Sequence, residues 1–421
     1  MCKLFSRLFL IVALITNQSL ACLNAHAQSQ PDPNASLPLV YQSNLQYIGG
    51  FRVPNTTVGS NDPNDVFSYS SGLLAFNPAD GGIFLGCHAY TAGAITEVNI
   101  PALVNSSNLA NLNTATVLQQ ASIDLVPALT YNNPCPLNTP GGIMVVNGQI
   151  IGTANVYYNA AECGKSSHFY TSSTNLASMQ VVGACVLNDQ FNLPGFLSGY
   201  LCPIPSNWQA DLQAPYITGC TPQTIISSGS PGPGAFGFDP SKLSVTTPSS
   251  TVTYLAYPAS NETLGAYTSN YPTGFNGTCQ IQGVAFPQGT RSILFFGSMG
   301  TGDFCYGDPN ANGGTNPEGT TNSDGAVNCN DPCTGGKGPH SVGGGYSYFV
   351  WAYDALDFEA VANGQKQPWQ ILPYSMWPIS FPVSNCGCPT GGVTYDPSSG
   401  TIYFCQLGAD TVASYSYLPL I

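Results

Sequence analysis

Short apolar runs, each led by glycine and closed by a turn cluster, recur along this chain. Gly391–Phe404, GGVTYDPSSGTIYF, reads as a tight hairpin of two apolar strands around an Asp-Pro turn. An edited copy, GLLAFNPADGGIFL, occupies Gly72–Leu85. Five runs share the glycine start: Gly72-Leu-Leu-Ala-Phe, Gly142-Ile-Met-Val-Val, Gly234-Ala-Phe-Gly-Phe, Gly283-Val-Ala-Phe and Gly392-Val-Thr-Tyr. Four of them lead within about ten residues to a second run, Ile83-Phe-Leu, Ile150-Ile-Gly, Ile293-Leu-Phe-Phe or Ile402-Tyr-Phe. A strand apolar on both faces belongs between two sheets, and glycine lets neighbouring strands crowd. Both properties suit the inner strands of propeller blades.

The second unit is the clearest blade, with strands expected at Gly141–Asn147, Gln149–Tyr158, Ser167–Ser172 and Met179–Leu187. Helical periodicity is nearly absent, and only Ala102–Gln120 suggests a short helix. The pattern therefore predicts an all-β propeller of five blades, with six as the alternative count and an irregular β-sandwich as the alternative fold. Leu45–Val53, LQYIGGFRV, is the first strand-like run, and it is expected to pair with the last blade and close the ring. One propeller domain over 45–421 follows, with a Gly/Asn-rich surface insertion at 306–345 that has nothing to build a core.

The start of the chain carries a different message. Lys3 and Arg7 precede the apolar run Leu8–Ile15, and Ala25-His26-Ala27 offers small residues for cleavage, so 1–27 reads as a signal peptide. Lipidation at Cys22 is the alternative, weakened by Ser19 standing three residues before it. The Pro-bearing polar stretch that follows predicts a loose leader over 28–44. No other stretch is long enough for a membrane span. The expected location is therefore secreted, periplasmic or cell-surface.

Composition sharpens that picture. Cleavage after Ala27 removes two of eight basic residues and none of 21 acids, leaving 6 − 21 = −15. So acidic a surface argues against nucleic acid or anionic membrane as partners. Charged residues are only 7% of the chain, against about 25% in ordinary domains. Aromatic residues at 11% are still ample for a packed core. Fifteen Cys in an exported chain point to disulfides. Cys305, Cys329 and Cys333 are placed to hold the insertion, and Cys386 or Cys388 is expected to bond Cys405 across one blade.

The stretches YIGGFRVP, GLLAFNPADGGIFL, FFGSMGTGDFCYG, FVWAYDALDFEAV and GGVTYDPSSGTIYF resemble those of exported bacterial proteins without an assigned role. The resemblance implies a propeller-like fold over most of the mature chain. It brings no catalytic motif and transfers no functional residue.

Several constellations are candidates for chemistry. Asp308, Asn310, Asn312 and Gly313 match the opening of a calcium loop, with oxygen donors at alternate positions and glycine at the turn. Glu318 stands one position short of the usual closing acid, and Asp324 or Asp331 offers a different closure. His88, His168 and His340 occupy unlike places, which argues against a shared metal. Asp354, Asp357 and Glu359 in YDALDFE read as a turn after a strand, and Asp65, Asp239 and Asp396 come from different units. Asp239 and Asp396 each precede proline, as turn formers do. No G-x-S-x-G, H-E-x-x-H or phosphate-cradling loop occurs. Of the four Trp, Trp369 and Trp377 are expected to pack between blades.

Two functions follow. The first is a binding or scaffold module outside the cytoplasm, recognising a carbohydrate or protein ligand. The second is a carbohydrate-active hydrolase or lyase with carboxylates at the propeller mouth. The Asp308 loop makes its own prediction. Extracellular calcium modules bind on the order of 0.1 to 1 mM, so about 10 mM calcium should stabilise by about 1.4 to 2.7 kcal/mol. The melting temperature should rise by a few degrees, and Asp308→Ala should abolish the rise; identical melting curves in calcium and in chelator would exclude the metal.

Overall fold

A strand sends successive side chains to opposite faces. Where both sets are apolar, each face needs a neighbouring sheet. A ring of sheets supplies two neighbours to every member. The structure, a computed structural model, describes residues 32–421 apart from 60–61, 92, 130–134, 158, 160–163, 165–166, 192–193, 221–228, 308–317, 322–324, 330, 332, 335–337 and 413–416. It is a five-bladed β-propeller.

Blade one holds β1 (Leu74–Phe76), β2 (Ile83–Gly86), β3 (Ile95–Val98) and β4 (Val117–Gln119). Blade two holds β5 (Thr139–Val146), β6 (Gln149–Asn155), β7 (His168–Thr171) and β8 (Val181–Cys185), and β9 (Leu187–Asn188) follows it. Blade three holds β10 (Leu201–Pro203), β11 (Tyr216–Thr218), β12 (Ala235–Phe238) and β14 (Val252–Leu255); β13 (Ser249–Ser250) pairs in parallel with β9. Blade four holds β15 (Gln280–Ala285), β16 (Ser292–Gly300), β19 (Tyr346–Asp354) and β20 (Ser375–Ile379). Its insertion adds the ribbon β17 (Asp303–Tyr306) with β18 (Pro339–Val342). Blade five holds β21 (Thr390–Asp396), β22 (Thr401–Asp410) and β23 (Leu418–Leu420).

The strands β1, β5, β10, β15 and β21 touch in cyclic order and form the inner wall. Their starts define what we term the upper face and their ends the lower face. Crowding is greatest where blade five meets blade one. The Gly392 N–H donates to the Gly72 carbonyl at 2.6 Å. A Cβ on Gly72, whose φ is +77°, would stand 2.7 Å from the Gly391 Cα, so only glycine fits there.

The core lies between blades rather than inside one. Leu73, Ala75 and Phe84 of blade one pack on Ile143, Ile150 and Phe169 of blade two. Leu74 and Leu85 point the other way, onto Cys405 and Leu418 of blade five. Met144 and Ile151 meet Leu201 and Phe236 between blades two and three. Tyr200 and Tyr254 meet Phe295 and Trp351 between three and four. Phe296, Val350 and Trp377 meet Val393 and Phe404 between four and five.

Closure follows the sequence expectation. Arg52 bridges Leu420 in antiparallel register, and Phe51 and Ile421 exchange backbone hydrogen bonds at 2.8 and 3.2 Å. The first segment thus serves as the fourth strand of blade five. Arg52 Nε lies 2.7 Å from Oδ2 of Asp410, whose side chain is fully buried.

Other expectations change. The Gly234 run forms β12, the third strand of its blade; the inner strand is β10, led by Ser198-Gly199. Within Ala102–Gln120 there is a single 3-10 turn, Leu109–Asn111, and then β4. A helix forms instead at Ala355–Ala362, capped by Asp354 through the Leu356 N–H at 3.1 Å. The described part of the leader, 32–44, is strapped down rather than loose. Asn34 Nδ2 donates to Asp211 Oδ2 at 2.7 Å, the Val40 N–H donates to Ser292 Oγ at 2.7 Å, and the Tyr374 hydroxyl donates to the Val40 carbonyl. Cys305 bonds Cys329 as the insertion required, but Cys333, expected to share that role, is a free thiol; Cys135 is also disulfide-bonded.

Cys386, Cys388 and Cys405 are free thiols, which corrects the expected pairing. Cys388 faces the core between blades four and five, whereas Cys405 faces the one between five and one.

Arg52→Ala should leave Asp410 buried without its partner and destabilise the ring by about 3 kcal/mol. Chemical denaturation should show a lower midpoint, and the Arg52→Met, Asp410→Leu double variant should recover most of the loss.

Candidate functional site

The second-to-third strand connections of all five blades, 87–94, 156–167, 219–234, 301–345 and 411–417, leave and return on the upper face. The first-to-second connections on the lower face include tight turns such as Asn147-Gly148, where both residues have positive φ. The upper face is therefore where loops gather around the channel mouth.

Hydroxyl and amide side chains surround that mouth. Ser70 Oγ donates to the Gly86 carbonyl at 2.6 Å and accepts from the Gly72 N–H at 3.0 Å. Thr278 Oγ1 donates to Asn276 Oδ1 and accepts from the Gly300 N–H at 2.7 Å. Thr390 Oγ1 donates to the Gln280 carbonyl at 3.3 Å. Ser71 and Ser198 each stand three residues before an inner strand, and their shielded Oγ atoms lack a protein partner. Among the described residues that begin the five inner strands, none is a carboxylate.

An aromatic group crowns the seam of blades five and one. Tyr69 and Tyr417 stack with centroids 5.1 Å apart and planes 10° from parallel. His88 lies 5.7 Å from the Tyr69 ring and 4.9 Å from the Tyr90 ring. Tyr69, Tyr417 and Tyr90 are 50%, 43% and 92% exposed. These positions carry no motif and stand in different units, so no periodicity reveals them.

Asp62, Asp65 and Asp124 form an acidic cluster in the same region. The carboxylate of Asp65 is buried, and its Oδ1 has no protein hydrogen-bond partner. Burial, then the carboxylates of Asp124 and Asp62, push its pKa up to about 6. Burial and Asp62 also raise that of Asp124. Burial chiefly, with smaller contributions from the carboxylates of Asp65 and Asp124, pushes the thiol of Cys87, the residue before His88, up to about 12.

A second polar network braces the insertion. Asp331 Oδ2 accepts from the Tyr346 hydroxyl at 2.6 Å and from Thr334 Oγ1, and it lies 3.3 Å from His340 Nδ1. Burial alone would raise the Asp331 pKa, but bonds from Thr334, Tyr346 and backbone N–H groups hold it below the usual value. Cys333 sits beside Cys386 and Cys388, and burial with those thiols pushes it up to about 12, away from thiolate reactivity.

The sequence candidates scatter over these settings. Asp308, Asn310, Asn312 and Asp324 lie outside the described residues, and Glu318 is exposed in a turn. Among the described residues no group of three His, Cys, Asp or Glu is placed to hold a metal ion. His168 is fully buried between Ser167 and Thr218, at 2.8 and 3.0 Å, and burial drives its pKa down to about 3, so it stays neutral. Asp239 caps the 3-10 turn Pro240–Lys242 and Asp396 binds the Ser398 and Ser399 hydroxyls, both on the lower face, away from Asp65. Asp354 caps the helix and pairs with Arg291 at 3.2 Å, Asp357 in the first turn pairs with Lys366, and Glu359 lies within the helix, so the YDALDFE acids belong to a helix rather than a turn. Trp377 and Trp369 pack in the interblade cores as expected.

Comparison with known proteins adds little beyond the fold. No family model matches the chain, and no curated protein matches it. Among solved structures, an alpha-L-arabinofuranosidase from Lactobacillus brevis is similar over 85% of this chain and 90% of its own, at 9% identity and a TM-score of 0.35. A putative oxidoreductase (glucose dehydrogenase) from Thermus thermophilus is similar over 84% and 98%, at 13% identity and a TM-score of 0.28.

The Asp65 environment predicts a pH dependence. A carboxyl whose folded pKa lies above its unfolded value stabilises the fold when protonated. That contribution is lost as pH rises from about 4 through about 6. Asp65→Asn should raise the denaturation midpoint at pH 7.5 and leave it nearly unchanged at pH 4. An equal effect at both values would place the Asp65 carboxyl outside any unfavourable field.

Proposed function

We propose that this chain is an exported binding module that recognises its ligand on the upper face of the ring. The observation that carries the reading is the asymmetry of the two faces. A rigid ring holds the second-to-third connections on one side, around a mouth bordered by Ser, Thr and Asn groups. Loops held by a rigid scaffold are the usual setting for recognition. The basic and apolar start of the chain and the Cys305–Cys329 disulfide support the assignment outside the cytoplasm. Among the described residues no helix is long and apolar enough to cross a membrane. The resemblance to exported bacterial propeller-like proteins fits the same reading.

The second reading, a carbohydrate-active hydrolase or lyase, draws on Asp62, Asp65 and Asp124. A carboxyl held at about 6 beside other carboxylates has the character of a general acid. Its burial, at 3% exposure, is the argument against direct contact with a substrate.

Incubation with purified xylan, β-1,3-glucan and galactomannan and with denatured collagen separates the two. The binding module should be depleted from solution by at least one of these without release of reducing ends or unsaturated sugars. Release that is lost in Asp65→Asn would establish the enzyme instead.

A further inference from the structure

We infer that Tyr69, His88, Tyr90 and Tyr417 form a stacking site for a neutral saccharide at the seam of blades five and one. The inference rests on the binding reading above and assigns it a place and a ligand class.

The first support is that these rings are exposed and yet held. The Tyr69 N–H donates to the Tyr417 carbonyl at 3.1 Å, and the Tyr69 carbonyl accepts from the Ala89 N–H at 2.9 Å. His88 Nδ1 accepts from the Tyr90 N–H at 3.1 Å, which fixes the imidazole against the ring it meets. The Tyr417 ring also lies over Gly408, whose φ is +62°, and a Cβ on Gly408 would collide with it. A surface tyrosine with no task would turn away from such constraints.

The second support is strain. Tyr69 and Tyr417 have φ of 51° and 66°, in the left-handed region that bulky residues avoid. Two stacked, half-exposed tyrosines in this conformation cost stability and offer only partial burial in return. Strain of this kind collects at binding sites, where it presets side chains for a ligand.

Chemistry selects the ligand. Flat ring faces accept the C–H face of a pyranose, while tyrosine hydroxyls and imidazole nitrogens meet its hydroxyl edge. The chain carries a formal net charge of −13, and the carboxylates of Asp65 and Asp124 act on Cys87 next to His88, so an anionic sugar or phosphate is repelled. Asp62 and Asp124, half-buried in that acidic cluster, offer acceptors for hydroxyls.

Affinity electrophoresis through gels containing xylan, β-1,3-glucan or galactomannan tests the site. The wild-type protein should be retarded by at least one of them. Tyr69→Ala and Tyr417→Ala should weaken retention at least tenfold, Tyr417→Phe should stay within threefold, and Tyr271→Ala on another loop should bind as wild type. Should the strained positions fail to fold when changed, Tyr90→Ala, at a residue 92% exposed, should weaken binding without moving the melting temperature. Retention that is equal in wild type and in the tyrosine variants would overturn this site and leave the binding module standing. Capture by immobilised denatured collagen and by none of the polysaccharides would overturn the saccharide. Failure to bind any of these probes would overturn both.

Discussion

Ring closure is the contact on which the other contacts depend. Phe51 and Arg52 pair with Leu420 and Ile421, and the Arg52 guanidinium reaches the buried carboxylate of Asp410. Without that pairing, the apolar groups of blades five and one that meet around Phe51, Leu74 and Leu418 would face water. The five interblade cores are equivalent in kind, so opening one seam exposes two apolar sheet faces at once. The cost of that exposure makes a circular arrangement cooperative. The leader strap adds to it by joining blade three to blade four, through Asn34 at Asp211 and Val40 at Ser292, before the chain reaches the seam.

The same seam carries the candidate site. Inner strands approach so closely at Gly72 and Gly391 that no side chain fits between them there, and larger side chains must stand above that contact. The aromatic group does so, borrowing its rigidity from backbone bonds that join the blade-one and blade-five connections. The aromatic group thus stands next to the closing strand, and its backbone bonds belong to the same seam.

Polar groups do most of the work that ions do elsewhere. With charged residues at 7%, capping and loop bracing fall to Asn, Ser, Thr and Tyr. The few carboxylates are correspondingly specialised. Asp331 is a hub whose donors hold it ionised, whereas Asp65 lacks a compensating partner at Oδ1 and is held near protonation by burial and like charge. These two environments show how the same side chain is set to opposite tendencies by its donors.

Local pattern alone determined the hairpins, the four strands of blade two, the closing role of Leu45–Val53, of which Phe51 and Arg52 make the pairing, and the interblade burial of Trp377, because strand periodicity, turn chemistry and glycine spacing are properties of neighbouring residues. It misplaced the Gly234 run, since being apolar on both faces does not distinguish an inner strand from the third. It missed the helix at Ala355–Ala362, whose acids read as a turn, and it left the leader loose where Asn34 and Val40 find partners more than 170 residues away. The expected bond to Cys405 failed because Cys388 and Cys405 lie near in sequence but pack in different interblade cores. The aromatic site was the least visible: Tyr69, His88, Tyr90 and Tyr417 meet only when the last blade returns to the first. Only the closed ring decides that contact, because its two sides lie in segments that the chain separates by almost the whole circumference.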